Sequence, residues 1–131
     1  MRFINPDRAF PFSDAVIYSA PTLETVLTGI PPAAMTPIAG GPAAEMAEIF
    51  RQLDAVLAKA GVDKTAIVSA CLYLQDVNRD IEQVNKVWAE YFGAHPPSRR
   101  AYGVDLQAGM LVEAAFVAEV PLEAVMRTGD L

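Results

Sequence analysis

The sequence predicts an α+β fold in which two helices pack on one face of a mixed six-stranded sheet. Two segments, residues 43–60 and 79–92, carry apolar side chains at the spacing of a single helical face. Short runs rich in β-branched and aromatic residues flank and separate these segments. Because each helix has one apolar stripe, both fit best on one side of the sheet. The other side of the sheet would then be uncovered in a monomer, which favours self-association.

The N-terminal third is predicted to form a hairpin followed by a long loop. Residues 14–20 and 23–28 are two strand-like runs, and Pro21 lies between them. Residues 29–42 contain too many prolines and glycines for regular structure beyond a short extended piece, which is the sixth strand of the count. A loop of about a dozen residues is long enough to suggest a functional role.

The rest of the chain alternates helices with strands. A helix, a strand that is expected to be central, a second helix and two strands are predicted over residues 43–60, 66–75, 79–92, 99–104 and 110–120. Glu45 and Glu48 are expected to lie outside the apolar stripe of the first helix, which Gly61 ends. Asn78 is expected to cap the second helix, and Pro121 to close the ordered core.

Length and composition indicate one soluble domain over residues 1–131, with a core at 11–120 and a tail at 122–131. The chain is 53% hydrophobic, yet no window approaches the roughly 18 to 20 apolar residues of a membrane-spanning helix. The N-terminus lacks the pattern of a signal peptide, so a cytoplasmic location is expected. With Cys71 as the single cysteine and His95 as the single histidine, neither an intrachain disulfide nor a zinc site is expected.

The charge distribution disfavours nucleic-acid binding. The formal net charge is -6, and the ten basic residues are scattered along the chain. Affinity for nucleic acid normally depends on a concentrated basic surface that displaces counterions from phosphates. We therefore expect no nucleic-acid partner.

The last predicted strand contains a charged residue, Glu113, within an apolar run. Side chains alternate along a strand, and both faces of this strand are apolar apart from Glu113. An ionised carboxylate removed from water costs several kcal/mol unless it is paired or hydrogen-bonded. Two interpretations remain open: an ion pair with Arg99 or Arg100 that fixes the strand register, or a functional carboxylate.

Several short motifs occur along the chain in a definite order. They are Pro11-Phe12, Thr28-Gly29-Ile30-Pro31-Pro32, V-L-A-K-A-G ending at Gly61, V-S-A-C-L-Y-L-Q-D, D-I-E-Q-V-N-K-V-W-A-E-Y-F, P-P-S-R ending at Arg99, and M-L-V-E-A-A-F-V-A around Glu113. In this order and spacing they resemble the RidA/YjgF family of imine and enamine deaminases, over roughly residues 11–120.

The resemblance implies a fold, an assembly and a reaction. Family members have a chorismate-mutase-like α+β fold and form homotrimers with sites in the clefts between subunits. The implied reaction is hydrolysis of reactive 2-imino or enamine acids, of the 2-aminoacrylate type, to 2-keto acids and ammonia. It implies no metal and no organic cofactor.

The resemblance also implies roles for individual residues. Arg99 is expected to bind the substrate carboxylate, with Arg100 as the neighbouring alternative, and Glu113 to hold or activate the attacking water. The substrate is expected to lie in the gap between Arg99 and Glu113. The remaining expected substrate-binding residues are Phe12, Thr28, Gly29, Ile30, Asn85 and Tyr102.

Departures from the family pattern leave the substrate open. Phe12 replaces a common tyrosine, Thr28 a serine, Ile30 a glutamine, and Ala101 a frequent cysteine. A trimer that binds small carboxylates without catalysis, as a sensor or regulator, is therefore kept as an alternative. Cleavage of single-stranded RNA, an activity ascribed to some relatives, is disfavoured by the acidic charge.

Overall fold

A computed structural model describes the chain over residues 2–4, 6, 11–13, 15–17 and 21–126. The six strands in these ranges are β1 (Arg2–Ile4), β2 (Ala15–Ile17), β3 (Thr22–Thr28), β4 (Ile67–Leu74), β5 (Ser98–Gly103) and β6 (Val112–Glu119). The helices are α1 (Gly41–Lys59), α2 (Val77–Phe92) and the short α3 (Leu122–Met126), and a 3₁₀ turn, Lys64–Ala66, precedes β4. No helix within the described ranges is long and apolar enough to cross a membrane.

The strands form a mixed four-stranded sheet in the order β3-β6-β4-β5 and a separate two-stranded sheet of β1 and β2. In the larger sheet β4 and β5 are parallel, whereas β6 runs antiparallel to both β3 and β4. The predicted α+β class is therefore confirmed, with the six strands divided between two sheets. The strand β4 is internal, as expected.

The predicted hairpin between residues 14–20 and 23–28 is wrong. The strand β2 pairs with β1, and β3 pairs with β6 along its whole length, from Thr22 opposite Glu119 to Thr28 opposite Glu113. Residues 14 and 18–20 lie outside the described ranges. A seven-residue ladder against β6 makes more hydrogen bonds than the three-residue β2 offers, so the distant partner is preferred over the neighbour in sequence.

The two long helices cover one face of the four-stranded sheet, as predicted. A single buried cluster combines apolar side chains of both helices with alternate residues of the central strands, among them Leu72 and Leu74 of β4 and Ala114 and Phe116 of β6. The opposite face of the sheet, here called the open face, carries the intervening residues of each strand, which are half-buried or exposed along β3 and β6.

One helix cap and the end of the ordered core differ from the predictions. The α2 cap is Asp76, whose carboxylate accepts a hydrogen bond from Arg79 N at 3.1 Å, and not Asn78. Order also continues past Pro121, because α3 packs Ala124 against Ala60. The loop from residue 29 to 40 contains no helix or strand, so the short extended piece expected there as the sixth strand is wrong, and the sixth strand is β1 near the N-terminus.

Candidate active site

Arg99 lies at the start of β5 and points to the helix side of the sheet. The strand begins directly after two prolines, and its entry is fixed by Ser13, whose backbone N donates to Pro97 O at 2.9 Å and whose hydroxyl donates to Pro96 O. Arg99 is paired with Ala70 of β4, which belongs to the core face. The alternation of β5 therefore carries the Arg99 side chain toward α2.

The Arg99 guanidinium is held by one amide and two aromatic rings. Its Nη2 donates to Asn85 Oδ1 at 2.8 Å, and its Cζ lies 4.9 Å from the ring centroid of Trp88 and 5.3 Å from that of Phe12. Nε and Nη1 are buried and have no hydrogen-bond partner among the described residues. Burial lowers the pKa of Arg99 to about 10, so the group is still a cation at neutral pH.

A cavity of about 370 Å³ opens beside Arg99. It lies at the end of the sheet where the parallel strands β4 and β5 begin. Its lining is polar in large part and consists of Phe12, Ser13, Ser69, Ala70, Ser98, Arg99 and Arg100. A half-buried cation beside a cavity whose lining includes three serines suits a small ligand with a negative charge.

Glu113 lies on the open face of the sheet. It is paired with Thr28 of β3 on one side and with Tyr73 of β4 on the other. It lines a second cavity, of about 360 Å³, together with Tyr73, Val104, Asp105, Leu106, Gln107 and Met110. This cavity lies where β4 and β5 end.

Arg99 and Glu113 are therefore separated within one chain, so a single subunit does not contain the expected gap between them. They lie on opposite faces of the sheet. Their partners on β4, Ala70 and Tyr73, are three residues apart, which is about 10 Å along a strand. Within the described chain, neither Arg99 nor Arg100 forms an ion pair with Glu113, so the ion-pair interpretation is also not supported.

The turn after β3 lies close to Glu113, and hydrogen bonds from α1 hold this turn in place. Thr28 Oγ1 accepts a hydrogen bond from Ile30 N at 3.3 Å. Gln52 Nε2 donates to Thr28 O at 3.2 Å and to Ile30 O at 3.0 Å. A Cβ added at Gly29 would meet Glu45 Cγ at 2.5 Å, closer than any side chain can approach. Glycine is thus required here by the carboxylate beside it.

Glu45 is buried, contrary to the sequence prediction. It is 2% exposed, and its Oε1 accepts from Leu111 N at 2.9 Å and from Val112 N at 3.4 Å. Glu48 is buried too, and its carboxylate receives Arg51 Nε at 2.7 Å. Burial raises the pKa of Glu45, although the two backbone hydrogen bonds oppose the shift.

The spacing of the first helix carried the signal that the prediction missed. Glu45 precedes Ile49 by four residues and Leu53 by eight, and both of these are fully buried. These intervals lie on one helical face, so Glu45 belongs to the buried stripe despite its charge. The carboxylate thereby ties α1 to the start of β6, two residues before Glu113.

Substitution of Glu45 by glutamine is expected to change how stability depends on pH. The folded-state pKa of Glu45 is raised above its ordinary value of 4.5, so the contribution of Glu45 to stability is fully present below that value and is lost as pH rises through the folded pKa. Glutamine keeps an oxygen acceptor for Leu111 N and cannot ionise. Urea unfolding between pH 4 and 8 should show Glu45→Gln gaining stability over wild type as pH rises.

The matched control for this substitution is Glu48→Gln. The hydrogen bond from Arg51 lowers the pKa of Glu48, so this carboxylate contributes stability above its unfolded pKa and loses it as pH falls. Glu48→Gln should therefore be less stable than wild type at neutral pH, with the difference shrinking in acid. Equal pH slopes for wild type and Glu45→Gln would contradict the assignment.

Tyr102 and Arg100 lie on the open face, together with Tyr73 and Cys71. Tyr102 pairs with Tyr73 across β4 and β5, and their rings stack at 6.4 Å. Arg100 pairs with Cys71, which is buried. A hydrogen bond with Cys71 raises the pKa of the Tyr73 hydroxyl.

The eight expected site residues thus form two groups. Arg99, Asn85 and Phe12 lie together in the Arg99 group. Glu113 lies next to the turn after β3, and Tyr102 lies on the same face of the sheet, beyond Tyr73. These residues are here called the Glu113 group, which consists of Glu113, Thr28, Gly29, Ile30 and Tyr102. Sequence reasoning missed Trp88 and Tyr73, which it counted as core and strand residues.

Comparison with known proteins decides the family. A family model described as Endoribonuclease L-PSP matches residues 5–120. The chain belongs to this family, the RidA/YjgF family. Among the described residues of this RidA/YjgF member, no group of three or more His, Cys, Asp and Glu side chains is placed to hold a metal ion.

Individual relatives of this RidA/YjgF member carry deaminase names. The chain is 31% identical over 114 residues to a human protein named 2-iminobutanoate/2-iminopropanoate deaminase. The aligned region covers 86% of this chain and 82% of the relative. The bovine protein of that name is 34% identical over 109 residues, with coverages of 82% and 79%.

Solved structures agree with the fold. The Rid-family protein YyfA from Yersinia pestis superimposes with a TM-score of 0.70 at 29% identity, covering 88% of this chain and 92% of that chain. YyfB from the same organism, at 24% identity, gives a TM-score of 0.76 with coverages of 91% and 98%.

Proposed function

We propose that this protein hydrolyses reactive 2-imino and enamine acids to 2-keto acids and ammonia. The observation that carries the proposal is the half-buried Arg99 guanidinium beside a cavity of about 370 Å³, whose Nε and Nη1 have no hydrogen-bond partner among the described residues. A planar guanidinium matches a carboxylate with two parallel hydrogen bonds, and both substrate and product of this reaction carry one. The deaminase names of the relatives support the same reaction.

The chemistry needs a bound substrate and a positioned water. An enamine acid first tautomerises to its imine, and protonation of the imine nitrogen makes the carbon electrophilic. Glu113 takes a proton from water as the water oxygen bonds to that carbon. The proton then passes from Glu113 to the nitrogen. As the C–N bond breaks and ammonia leaves, Glu113 takes the hydroxyl proton, the carbonyl of the keto acid forms, and Glu113 then releases this proton to solvent.

We propose further that the site forms between subunits of a homotrimer. Within one chain Arg99 and Glu113 lie on opposite faces of the sheet, so one cleft can contain both only if two copies contribute. The open face offers apolar area for such contact, including Val26 at 64% exposure and Tyr102 at 49%. The Arg99 group of one subunit would then face the Glu113 group of its neighbour.

The test is direct. When 2-aminoacrylate is generated in situ, the protein should accelerate pyruvate formation well above the rate in buffer with serum albumin. A rate equal to that control would exclude this activity for 2-aminoacrylate. Saturable binding of pyruvate or propionate without any acceleration would favour the alternative, a non-catalytic carboxylate-binding trimer.

A further inference from the structure

We infer that Trp88 is a positioning residue for Arg99 and that its indole responds to a carboxylate bound there. This inference deepens the proposed function, since it concerns how the anchor of that same site is held. Trp88 and Asn85 lie three residues apart on α2, so both point from one helical face to Arg99. Asn85 holds Nη2 at 2.8 Å, and the indole lies 4.9 Å from Cζ.

The indole is itself held rigidly. Trp88 is 0% exposed, and its ring lies 5.5 Å from Phe50, 5.0 Å from Phe92 and 5.9 Å from Phe116, measured between centroids. A side chain packed among three rings has little freedom to change rotamer. The surface on which the guanidinium rests is therefore fixed by the core.

Packing alone does not account for tryptophan at this position. Its Nε1 is buried without a hydrogen-bond partner in the described part of the chain, and an unpaired buried N–H is unfavourable. Phenylalanine would fill an aromatic core without that N–H. Tryptophan, however, attracts a cation more strongly than phenylalanine does, above all where the cation is desolvated. The cation here is Arg99, whose burial lowers its pKa.

The chain provides its own reporter, because Trp88 is its single tryptophan. Indole fluorescence of the intact protein should change in a saturable way as propionate, a carboxylate that cannot react, is added. The change should vanish in Arg99→Met and persist in Arg51→Met, since Arg51 lies on the outer side of α1 in a pair with Glu48. Wild type that deaminates 2-aminoacrylate yet shows no such change would overturn the inference.

Substitutions at Trp88 separate positioning from packing. We expect the dissociation constant for propionate, measured by calorimetry, to rise about threefold in Trp88→Phe and about tenfold in Trp88→Leu. The KM for 2-aminoacrylate should rise in parallel while kcat changes little. The control is Tyr91→Leu, which removes a ring stacked on Phe50 at 3.9 Å and leaves the three rings around the indole and Arg99 in place, and should lower thermal stability but leave KM unchanged.

The outcomes distinguish this inference from the proposed reaction. Propionate binding that depends on Trp88, without turnover, would contradict the proposed reaction and support the inference about Trp88. Turnover with the same KM in wild type and Trp88→Phe would support the reaction and contradict the inference. If Trp88→Leu does not fold, Trp88→Phe and the wild-type titration still decide.

Discussion

Substitution of Arg99 by lysine should lower kcat/KM for 2-aminoacrylate by about 30- to 100-fold. Lysine keeps the charge but loses the planar fork that binds a carboxylate with two hydrogen bonds, as well as the contact of a guanidinium with the Trp88 ring. Hydrogen bonds to charged groups contribute roughly 1.5–3 kcal/mol each. The measurement is steady-state kinetics of pyruvate release, with thermal melts to confirm that the variant is folded.

Two further arginine variants make this result specific. Arg51→Lys alters an arginine that is paired with Glu48 on the helix layer, and should leave kcat/KM unchanged. Arg100→Lys tests the neighbouring candidate, which lies on the open face of β5 beside Cys71. A large loss in Arg100→Lys with little loss in Arg99→Lys would transfer the carboxylate anchor to Arg100.

Substitution of Glu113 by glutamine should lower kcat by about 100-fold or more and change KM little. Glutamine has nearly the same shape but cannot take a proton from water, and general acid–base catalysis contributes typically about 10²–10⁴-fold. Glu24→Gln is the matched control, because Glu24 is an exposed carboxylate on the same face of the sheet. If Glu113→Gln and Glu24→Gln retain equal activity, Glu113 has no role in proton transfer.

The same two positions test whether a site combines two subunits. Arg99→Lys and Glu113→Gln, each nearly inactive, should recover activity when they are unfolded together and refolded as mixed assemblies. About a quarter of the sites would then receive an intact arginine from one subunit and an intact glutamate from the next. Mixtures that stay as inactive as the separate variants would place both residues of each site in one chain, against the proposal.

Much of the fold was predictable because its signals are local. The apolar stripes of α1 and α2 and the runs that became β4, β5 and β6 can be read from neighbouring residues. The partner of β3 was not predictable in this way, since a hairpin to the preceding run and a ladder to β6 are compatible with the same local sequence. Strand pairing is decided by contacts between distant segments.

Candidate residues for the site could be named from the sequence, and their roles stay predictions, but their arrangement could not be predicted. The resemblance to a family pointed to Arg99 and Glu113 as candidates, yet which face each occupies depends on the register of three strands. In the structure Ala101 lies beside Leu72, and Leu72 beside Ala114, so the core face of β5 matches that of β6. A shift of β6 by one residue would move Glu113 to the side of Arg99. Sequence alone does not fix that register.

The contact between Gly29 and Glu45 links two positions that are far apart in the sequence. The space that a side chain at residue 29 would need is occupied by the Glu45 side chain, which cannot retreat without releasing Leu111 N and Val112 N. A larger residue at 29 is therefore compatible with this fold only when residue 45 becomes smaller or changes its partners. The two positions should vary together among relatives, so an engineer who redesigns the turn beside Glu113 has to redesign the first turns of α1 as well.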